Sequence, residues 1–299
     1  MTILDELGQA VAAVALKVGP SVVRVGGSWR GGSGIVIDES VVLTNAHNVR
    51  GDEISVTFAD GRRAGATVTG IDLDGDLAVL NLDTASAPGL PWSDARAEIG
   101  TPVFAAAANG GGARVTVGFV SSTARDFRGP RGRRISGSVE HTAPLAPGSS
   151  GGPLVDGEGR LLGINTNRLG SGFYLALPAD ESLRERVAAL RRGESAERPR
   201  LGVGIAPSRV ARRMRRAVGL PEREGVLVRE VEEDSPAAAA GILEGDLIVE
   251  AGGRKISDPD DVYDALADAR AGGTLSVRLV RGVDELSVEA RLADGRRGS

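Results

Sequence analysis

The sequence predicts a mainly β protein in which a larger β domain precedes a smaller α+β domain, and three observations support this. With 299 residues the chain is too long for one small core and suggests about two domains. The 43 glycines indicate many turns, and therefore short strands rather than long helices. About twelve short runs rich in Val and Ile, with no long helix between them, are typical of antiparallel barrels or sandwiches.

The first domain is predicted over residues 1–192 and begins with a helix over 2–18. Thr2 and Asp5 have the spacing of a capping box, and apolar residues then recur at helical spacing until a Gly-Pro pair. A helix over 179–192 ends the domain. The predicted strands between the two helices are 22–25, 34–37, 41–44, 54–58, 64–70, 77–82, 102–107, 114–120, 137–141, 154–155, 161–165 and 172–177.

A polar segment over 193–199, which ends in proline, is predicted to link the first domain to a second one over 200–294. The strand candidates there are 201–205, 226–231, 247–251, 275–280 and 286–292, and the helix candidates are 208–218, 235–240 and 259–269. The first of these helices carries the arginine cluster Arg212, Arg213, Arg215 and Arg216. Because aromatic residues do not interleave this cluster, a solvated face is favoured over a nucleic-acid site.

Composition excludes several classes of function. A net charge of −4 gives no case for a nucleic-acid or membrane-surface protein, and the absence of cysteine excludes disulfides, zinc–thiolate sites and a cysteine nucleophile. No metal and no cofactor are predicted. No apolar run approaches the roughly 18 residues of a membrane span, and the first six residues are acidic, unlike an export signal. The sequence as written therefore favours a cytoplasmic protein, or an extracytoplasmic one if a leader has been removed.

Residues 147–153, Pro-Gly-Ser-Ser-Gly-Gly-Pro, are the first candidate for chemistry. The ordinary interpretation of such a segment is a glycine-rich turn between strands. Two glycines after a serine also leave the backbone free to adopt torsions closed to other residues. A nucleophilic serine needs that freedom, because backbone amides must point at the developing oxyanion and no side chain may block the attacked carbon.

A serine nucleophile needs a general base, usually an imidazole whose other nitrogen is held by a carboxylate. The chain has only two histidines. His47 follows an apolar strand in a short turn that can present it at a cleft, whereas His141 lies in a predicted strand with no nearby glycine. His47 is therefore the predicted base.

The carboxylate is expected at the edge of a buried strand. Asp76 enters an apolar run directly, so its side chain can be desolvated against an imidazole. Asp72 and Asp74 lie in a glycine-containing turn and are expected to be solvated, and Asp83 is a further candidate.

The resulting chain order is His47, Asp76, Ser150. Gly148-x-Ser150-x-Gly152 also fits the nucleophile elbow of α/β-hydrolases, but that elbow needs a helix after the serine and a histidine later in the chain. Here Pro153 follows and no histidine lies beyond the serine. The order on a β scaffold is instead that of the chymotrypsin arrangement.

Three segments now resemble the signature segments of the HtrA/Deg (protease Do-like) serine peptidases, and the resemblance extends over nearly the whole chain. The segments are Thr44-Asn45-Ala46-His47, Asp76-Leu77-Ala78-Val79-Leu80 and Pro147-Gly148-Ser149-Ser150-Gly151-Gly152-Pro153-Leu154. The resemblance implies a chymotrypsin-like double β-barrel followed by a PDZ domain. It also implies an ATP-independent serine endopeptidase that degrades misfolded or damaged proteins.

In such a peptidase Ser150 is the nucleophile, His47 the general base and Asp76 the carboxylate that orients it. The oxyanion hole corresponds to the backbone amides of Gly148, Ser149 and Ser150. Unfolded proteins or peptides are the substrates that the resemblance implies, and a homotrimer is the implied assembly.

The chain departs from the family pattern at several positions. Ser149 replaces a common Asn before the nucleophile, Thr142 replaces a common acidic residue, and Asn48 replaces a valine after the histidine. The N-terminal segment lacks the aromatics that pack the trimer in many relatives. Pro144 lies where relatives with a basic preference carry Asp, so small or aliphatic P1 side chains are expected.

In the second domain, Arg200-Leu201-Gly202-Val203-Gly204 resembles the carboxylate-binding loop of a PDZ domain. Such a site binds an extended C-terminus by β-augmentation. The implied peptide-binding residues are Leu201, Gly202, Val203, Gly204 and Ile205 on the loop and strand, with Val262 and Leu266 on the facing helix. For the last two residues, ordinary core packing is an equally good interpretation.

Two other functions stay open at this point. One is a proteolytically latent or inactive peptide-binding or chaperone protein on the same fold. The other is an esterase, which would use the same three catalytic side chains.

Overall fold

The computed structural model describes residues 2–27, 31–51, 53–109, 112–129, 134–170, 172–194, 199–269 and 272–292. The chain divides into two compact units, Met1–Ala196 and Glu197–Ser299. Both units are built mainly from antiparallel strands, and the prediction of a mainly β protein is confirmed. Most of the predicted linker, residues 195–198, lies outside the described residues.

The first unit begins with helix α1 (Ile3–Val18), whose start the sequence predicted from its capping box. The Thr2 hydroxyl accepts a hydrogen bond from the Asp5 amide at 3.2 Å, and the Asp5 carboxylate accepts one from the Thr2 amide at 2.8 Å. Only Val14 and Val18 of the apolar stripe are buried. The other end of the stripe is exposed, including Ile3, Leu4 and Leu7.

Six strands form a first closed barrel in the order β1-β2-β3-β6-β5-β4. They are β1 (Val22–Val25), β2 (Gly32–Asp38), β3 (Val41–Thr44), β4 (Glu53–Thr57), β5 (Arg63–Asp72) and β6 (Leu77–Asn81). The inward positions are filled by aliphatic side chains such as Val25, Val36 and Leu80, because the chain has few aromatic residues.

Six further strands form a second closed barrel in the order β10-β11-β12-β9-β8-β7. They are β7 (Pro102–Ala108), β8 (Ala113–Arg128), β9 (Arg134–His141), β10 (Pro153–Val155), β11 (Leu161–Gly170) and β12 (Phe173–Pro178). Leu43 and Leu77 of the first barrel share one apolar cluster with Phe104 and Ile164 of the second. This common core holds the facing edges of the two barrels together.

Helix α2 (Glu181–Arg191) follows the second barrel. Its apolar face, Leu183, Val187 and Leu190, is buried in the common core. The helix lies directly on β5, since a Cβ at Gly70 would come within 2.4 Å of the Leu190 carbonyl oxygen. Glycine at this position is therefore what permits the close approach.

The second unit is a mixed α+β domain. Its elements are β13 (Val203–Ala206), α3 (Ser208–Ala217), β14 (Val226–Val231), α4 (Pro236–Ala239), β15 (Leu247–Ala251), β16 (Arg254–Lys255), α5 (Pro259–Asp268), β17 (Thr274–Arg281) and β18 (Asp284–Arg291). The sheet order is β13-β14-β15-β17-β18, with β16 paired to β15. Within the described chain, β13 therefore lies at one edge of the sheet.

One expectation for α3 is wrong. Arg213 and Arg216 are exposed, as a solvated face requires, but Arg215 is 4% exposed. Its guanidinium donates to the carbonyl oxygens of Pro221 at 3.0 Å and Gly282 at 2.9 Å. Burial lowers the pKa of Arg215, and these two acceptors satisfy the buried donors.

Among the described helices of the chain, none is long and apolar enough to cross a bilayer.

Candidate active site

His47 lies in a short 3₁₀ helix (Ala46–Asn48) at the end of β3. The Asn45 side chain, just before this helix, donates to the Asp76 carbonyl oxygen at 2.9 Å and joins the two loops. The His47 side chain is 34% exposed. The strand end therefore holds the imidazole at the surface while its neighbours are buried.

Asp76 lies in the turn between β5 and β6 with its carboxylate buried, 1% exposed. The His47 Nδ1 atom is 2.9 Å from Oδ1 and 3.0 Å from Oδ2, and the His47 amide donates to Oδ1 at 3.2 Å. The Thr166 hydroxyl of β11 donates to Oδ2 at 2.6 Å. Because an ionised carboxylate can only accept a hydrogen bond, the proton of the neutral imidazole lies on Nδ1. Nε2 of His47 is therefore the basic nitrogen.

Ser150 follows a tight turn whose residues set the direction of the backbone amides. The Ser149 amide donates to the Ala146 carbonyl oxygen at 3.2 Å, and Gly148 has φ +86°. Pro147 at the second position and glycine at the third are the residues of a type II turn. Because the Ser149 amide is used inside the turn, the predicted three-amide oxyanion hole is reduced to the amides of Gly148 and Ser150. In the described part of the chain these two amides have no acceptor.

The nucleophile loop is tied to the first barrel through two side chains that the sequence did not single out as functional. The Ser150 carbonyl oxygen accepts from the Ser33 amide at 2.8 Å and from the Asn48 side chain at 2.9 Å. The Ser33 hydroxyl donates to the Gly148 carbonyl oxygen at 2.9 Å. A Cβ at Gly151 would lie 2.1 Å from the Ser33 carbonyl oxygen, so only glycine fits there. The only sequence signal was that Asn48 departs from the family valine.

The Ser150 hydroxyl donates to the Thr166 carbonyl oxygen at 2.9 Å. Among the described residues no hydrogen bond joins it to His47. The structure thus brings His47, Asp76 and Ser150 to one edge of the two barrels, while the serine side chain is turned toward β11. Thr166 contacts two of the three, through its hydroxyl and its carbonyl, and no sequence signal indicated this role.

The other titratable candidates lie elsewhere. His141 is fully buried, its Nε2–H donates to Asn165 Oδ1 at 3.0 Å, and its ring stacks on Tyr174 with ring centroids 5.8 Å apart. Burial lowers its pKa to about 4. Asp83 is exposed. Asp72 is not the solvated turn residue that was expected, since it is 2% exposed and paired with Arg186 at 2.8 Å.

A cavity of about 150 Å³ opens beside Ser150. Residues 145–150 form one side of it, and the remaining lining residues are Asn165, Thr166 and Tyr174. None of the lining side chains is an acid or a strong base. Pro144 is exposed and does not line this cavity, whereas Leu145 does. Leu145, and not Pro144, therefore contributes an apolar side chain to this cavity.

In the second unit the predicted peptide-binding residues separate into two groups. Leu201, Val262 and Leu266 are at most 5% exposed and belong to the core of the domain. Val203 and Ile205 on the edge strand β13 are only half-buried. The burial favours core packing for Val262 and Leu266. Leu201 precedes β13 rather than lying in it, because its carbonyl oxygen accepts from the Ala237 amide at 2.9 Å.

Comparison with known proteins agrees with both units. Residues 32–164 match the trypsin-like peptidase domain and residues 199–292 match the PDZ domain. The putative serine protease HhoA of Synechocystis is 31% identical over an alignment of 313 positions, which covers 97% of this chain and 76% of that protein. The chain belongs to the HtrA/Deg family of serine proteases. The fold that the sequence implied, a trypsin-like double barrel followed by a PDZ domain, is confirmed.

Other HtrA/Deg relatives are longer than this chain. A probable periplasmic serine endoprotease DegP-like of Halomonas elongata is 31% identical over 88% of this chain and 56% of that protein. The mitochondrial serine protease HTRA2 of Drosophila virilis is 32% identical over 86% of this chain and 65% of that protein. The chain thus spans between about half and two thirds of the length of these HtrA/Deg relatives.

Solved structures of serine proteases match nearly the whole chain. The HtrA-type protease AlgW with a decapeptide is 25% identical with a TM-score of 0.64, covering 96% of this chain and 99% of that one. The serine endoprotease from Yersinia pestis is 28% identical with a TM-score of 0.61, covering 94% and 97%.

Proposed function

We propose that the chain is an ATP-independent serine endopeptidase that cleaves misfolded or damaged proteins through an acyl-enzyme. The observation that carries the proposal is the His47 imidazole held by the buried Asp76 carboxylate, beside a nucleophile loop whose Gly148 and Ser150 amides have no acceptor among the described residues. A carboxylate, an imidazole, a serine and oxyanion donors are the complete set that acyl transfer needs.

In the proposed reaction the Ser150 hydroxyl rotates from the Thr166 carbonyl toward Nε2 of His47, which takes its proton as the oxygen attacks the peptide carbonyl carbon. The oxyanion forms between the amides of Gly148 and Ser150, where each donor contributes about 10² to 10³ in kcat. The His47 imidazolium, stabilised by ionised Asp76, then protonates the leaving amine. Water then attacks the carbonyl carbon of the acyl-enzyme while His47 takes its proton. The bond to Ser150 breaks, and His47 returns the proton to the serine oxygen.

Substrate selection is proposed at two places. The cavity of about 150 Å³ beside Ser150 and its lack of charge support small or aliphatic P1 side chains. In the PDZ domain, a C-terminal peptide would add to the free edge of β13, with Val203 and Ile205 supplying apolar contacts. The peptides named in the AlgW structures support this second role.

A homotrimer is the assembly that the family resemblance suggests. The exposed apolar residues Ile3, Leu4 and Leu7 on α1 support self-association of some kind, because isolated monomers rarely leave such a stripe uncovered.

The Ser150→Ala variant tests the proposed function. Wild type should label with a fluorophosphonate probe and degrade casein, with more of both when a hydrophobic C-terminal peptide is added. Ser150→Ala should do neither, since the substitution removes the oxygen that attacks the peptide carbonyl. Ser276→Ala, on an exposed position of the PDZ sheet, is the matched control and should behave as wild type.

Equal labelling of wild type and Ser150→Ala would reject the serine mechanism. A wild type that binds peptides but never labels, with or without the activating peptide, would favour the peptide-binding alternative. Turnover of ester substrates without any cleavage of casein or peptides in a parallel assay would favour the esterase.

A further inference from the structure

An ion pair lies behind the catalytic aspartate, and the proposed mechanism does not use it. Arg186 of α2 places Nη2 2.8 Å from Oδ2 of Asp72, whose side chain is 2% exposed. These residues are 114 positions apart in the chain. A carboxylate buried to this extent is retained only when paired and hydrogen-bonded, so the guanidinium is required where it lies.

The ion pair holds the turn that leads into Asp76 from both sides. The Gly75 amide donates to Oδ1 of Asp72 at 2.8 Å, and the Gly75 carbonyl oxygen accepts from Arg186 Nη2 at 3.1 Å. A Cβ on Gly75 would lie 2.0 Å from Nη2 and 2.3 Å from Asp72 Oδ2. The turn is therefore packed directly against the ion pair.

The Gly75 carbonyl belongs to the peptide bond that enters Asp76, and this explains why its orientation matters. Asp76 has φ +52°, a left-handed conformation that costs a non-glycine residue free energy and persists only where surrounding contacts impose it. Arg186 fixes the peptide before Asp76 through the Gly75 carbonyl oxygen. The Asn45 side chain fixes the peptide after it, by donating to the Asp76 carbonyl oxygen at 2.9 Å. Together they set the direction in which the carboxylate leaves the backbone.

Helix α2 is rigidly placed, so the guanidinium is not free to adjust. Leu183, Val187 and Leu190 are buried in the core shared by the two barrels. One turn after Arg186, the Leu190 backbone packs directly on Gly70 of β5, the strand that ends at Asp72. The helix thus contacts the strand at one point and the turn at the next.

We propose that Arg186, acting through Asp72 and Gly75, is a positioning residue that holds Asp76 in the orientation needed to orient His47. The proposal rests on the proposed function, in which the His47–Asp76 pair activates Ser150. Arg186 touches neither substrate nor the reacting atoms. Its effect is on the geometry of the carboxylate.

The test compares Arg186→Gln and Arg186→Lys with a matched control, Arg191→Gln. Arg191 lies on the same helix and pairs with Asp38 at 2.8 Å, where both side chains are at least 35% exposed. Arg186→Gln should lower kcat by about 10- to 100-fold, with KM within about threefold, because misplacing a catalytic group acts on the chemical step. One Arg186 nitrogen makes both contacts, so the Arg186→Lys ammonium should recover most of the loss.

Two readouts separate positioning from general destabilisation. The acidic limb of the kcat/KM profile in Arg186→Gln should move to lower pH by about 0.5 or more, because a misdirected carboxylate stabilises the imidazolium less. The low-field NMR resonance of the His47 Nδ1 proton, measured in a Ser150→Ala background, should weaken or shift. Arg191→Gln should leave kcat, the acidic limb and this resonance as in wild type.

The NMR readout also separates this proposal from the proposed function, because it needs no turnover. If wild type never labels or cleaves, the serine mechanism fails while the His47 resonance still tests whether Arg186 positions Asp76. If Arg186→Gln does not fold, Asp72→Asn, which keeps the acceptor for the Gly75 amide, takes its place. A lower Tm with unchanged kcat per folded molecule, acidic limb and resonance would overturn the proposal.

Discussion

On the first barrel, His47 and Asp76 are already joined, with Nδ1 2.9 Å from Oδ1, whereas on the second barrel the Ser150 hydroxyl is turned to Thr166 at 2.9 Å. The first arrangement needs a buried charge and a left-handed backbone, and only packing can supply these. The second needs rotation about one single bond. The difference indicates that the costly part of the site is built into the fold and the inexpensive part is left to be set as substrate binds.

The largest expected effect comes from breaking the first arrangement. In Asp76→Asn, the amide replaces a charged acceptor, so His47 loses the group that fixes its tautomer and stabilises its cation. We expect kcat to fall by about 10⁴-fold, measured on a peptide substrate with active sites counted by fluorophosphonate labelling. Asp83→Asn, an exposed aspartate two residues past β6, should change kcat by less than about twofold. A loss of under tenfold in Asp76→Asn would contradict the assigned role.

In the second barrel the expected effect is on the free energy of unfolding rather than on catalysis. His141 titrates at 6.5 when unfolded, and burial lowers its pKa in the folded state to about 4. Between these values, the unfolded chain binds a proton that the folded chain does not, so the free energy of unfolding falls as pH falls. The loss should total about 3 kcal/mol and be absent above pH 6.5.

Urea unfolding at pH 7.5 and pH 4.5 measures this effect. Carboxylates also titrate at the lower pH, so the comparison is with His141→Phe, which keeps an aromatic ring against Tyr174 but cannot be protonated. The variant should lose less stability than wild type over the same interval. An identical loss in both proteins would show that His141 is not the group responsible.

The smallest of these effects is expected from a substitution at Gly148, in the turn that precedes Ser150. Gly148 has φ +86°, and among the described residues a Cβ there would meet only the Gly31 carbonyl oxygen at 3.5 Å. In Gly148→Ala the methyl group fits but the left-handed torsion is disfavoured, so the turn should relax and its amide should leave the oxyanion site. We expect kcat to fall by about 10²-fold.

Gly100→Ala provides the control for backbone strain. Gly100 has φ +88°, a Cβ added there would meet no described atom within 4 Å, and its amide donates to the Val120 carbonyl oxygen of β8. Both variants should lose about 1 kcal/mol of stability, measured by urea unfolding, but only Gly148→Ala should lose activity. Equal activity in both would show that the Gly148 amide is not an oxyanion donor.

The sequence predicted the strands well and singled out His47, Asp76 and Ser150, which the structure brings together, because each carries a local signal. Val and Ile runs specify the strands, and His47 and Asp76 stand where apolar runs end or begin. Other signals were ambiguous. Asp72 resembled a solvated turn residue since its partner, Arg186, is 114 positions away. Arg215 resembled its exposed neighbours because the carbonyl groups that bury it come from two other segments.

By itself, the sequence determined the β-rich two-domain organisation, the order of His47, Asp76 and Ser150, and a glycine-rich turn at residues 147–153. These follow from residue preferences over a few positions. Only the tertiary structure decided that the Ser149 amide is used within that turn, that Thr166 binds Asp76, and that a helix closes on the Asp76 turn through Arg186. Contacts of this kind depend on where segments distant in sequence meet when two barrels and a helix pack around one core. No short stretch of sequence specifies those meeting points.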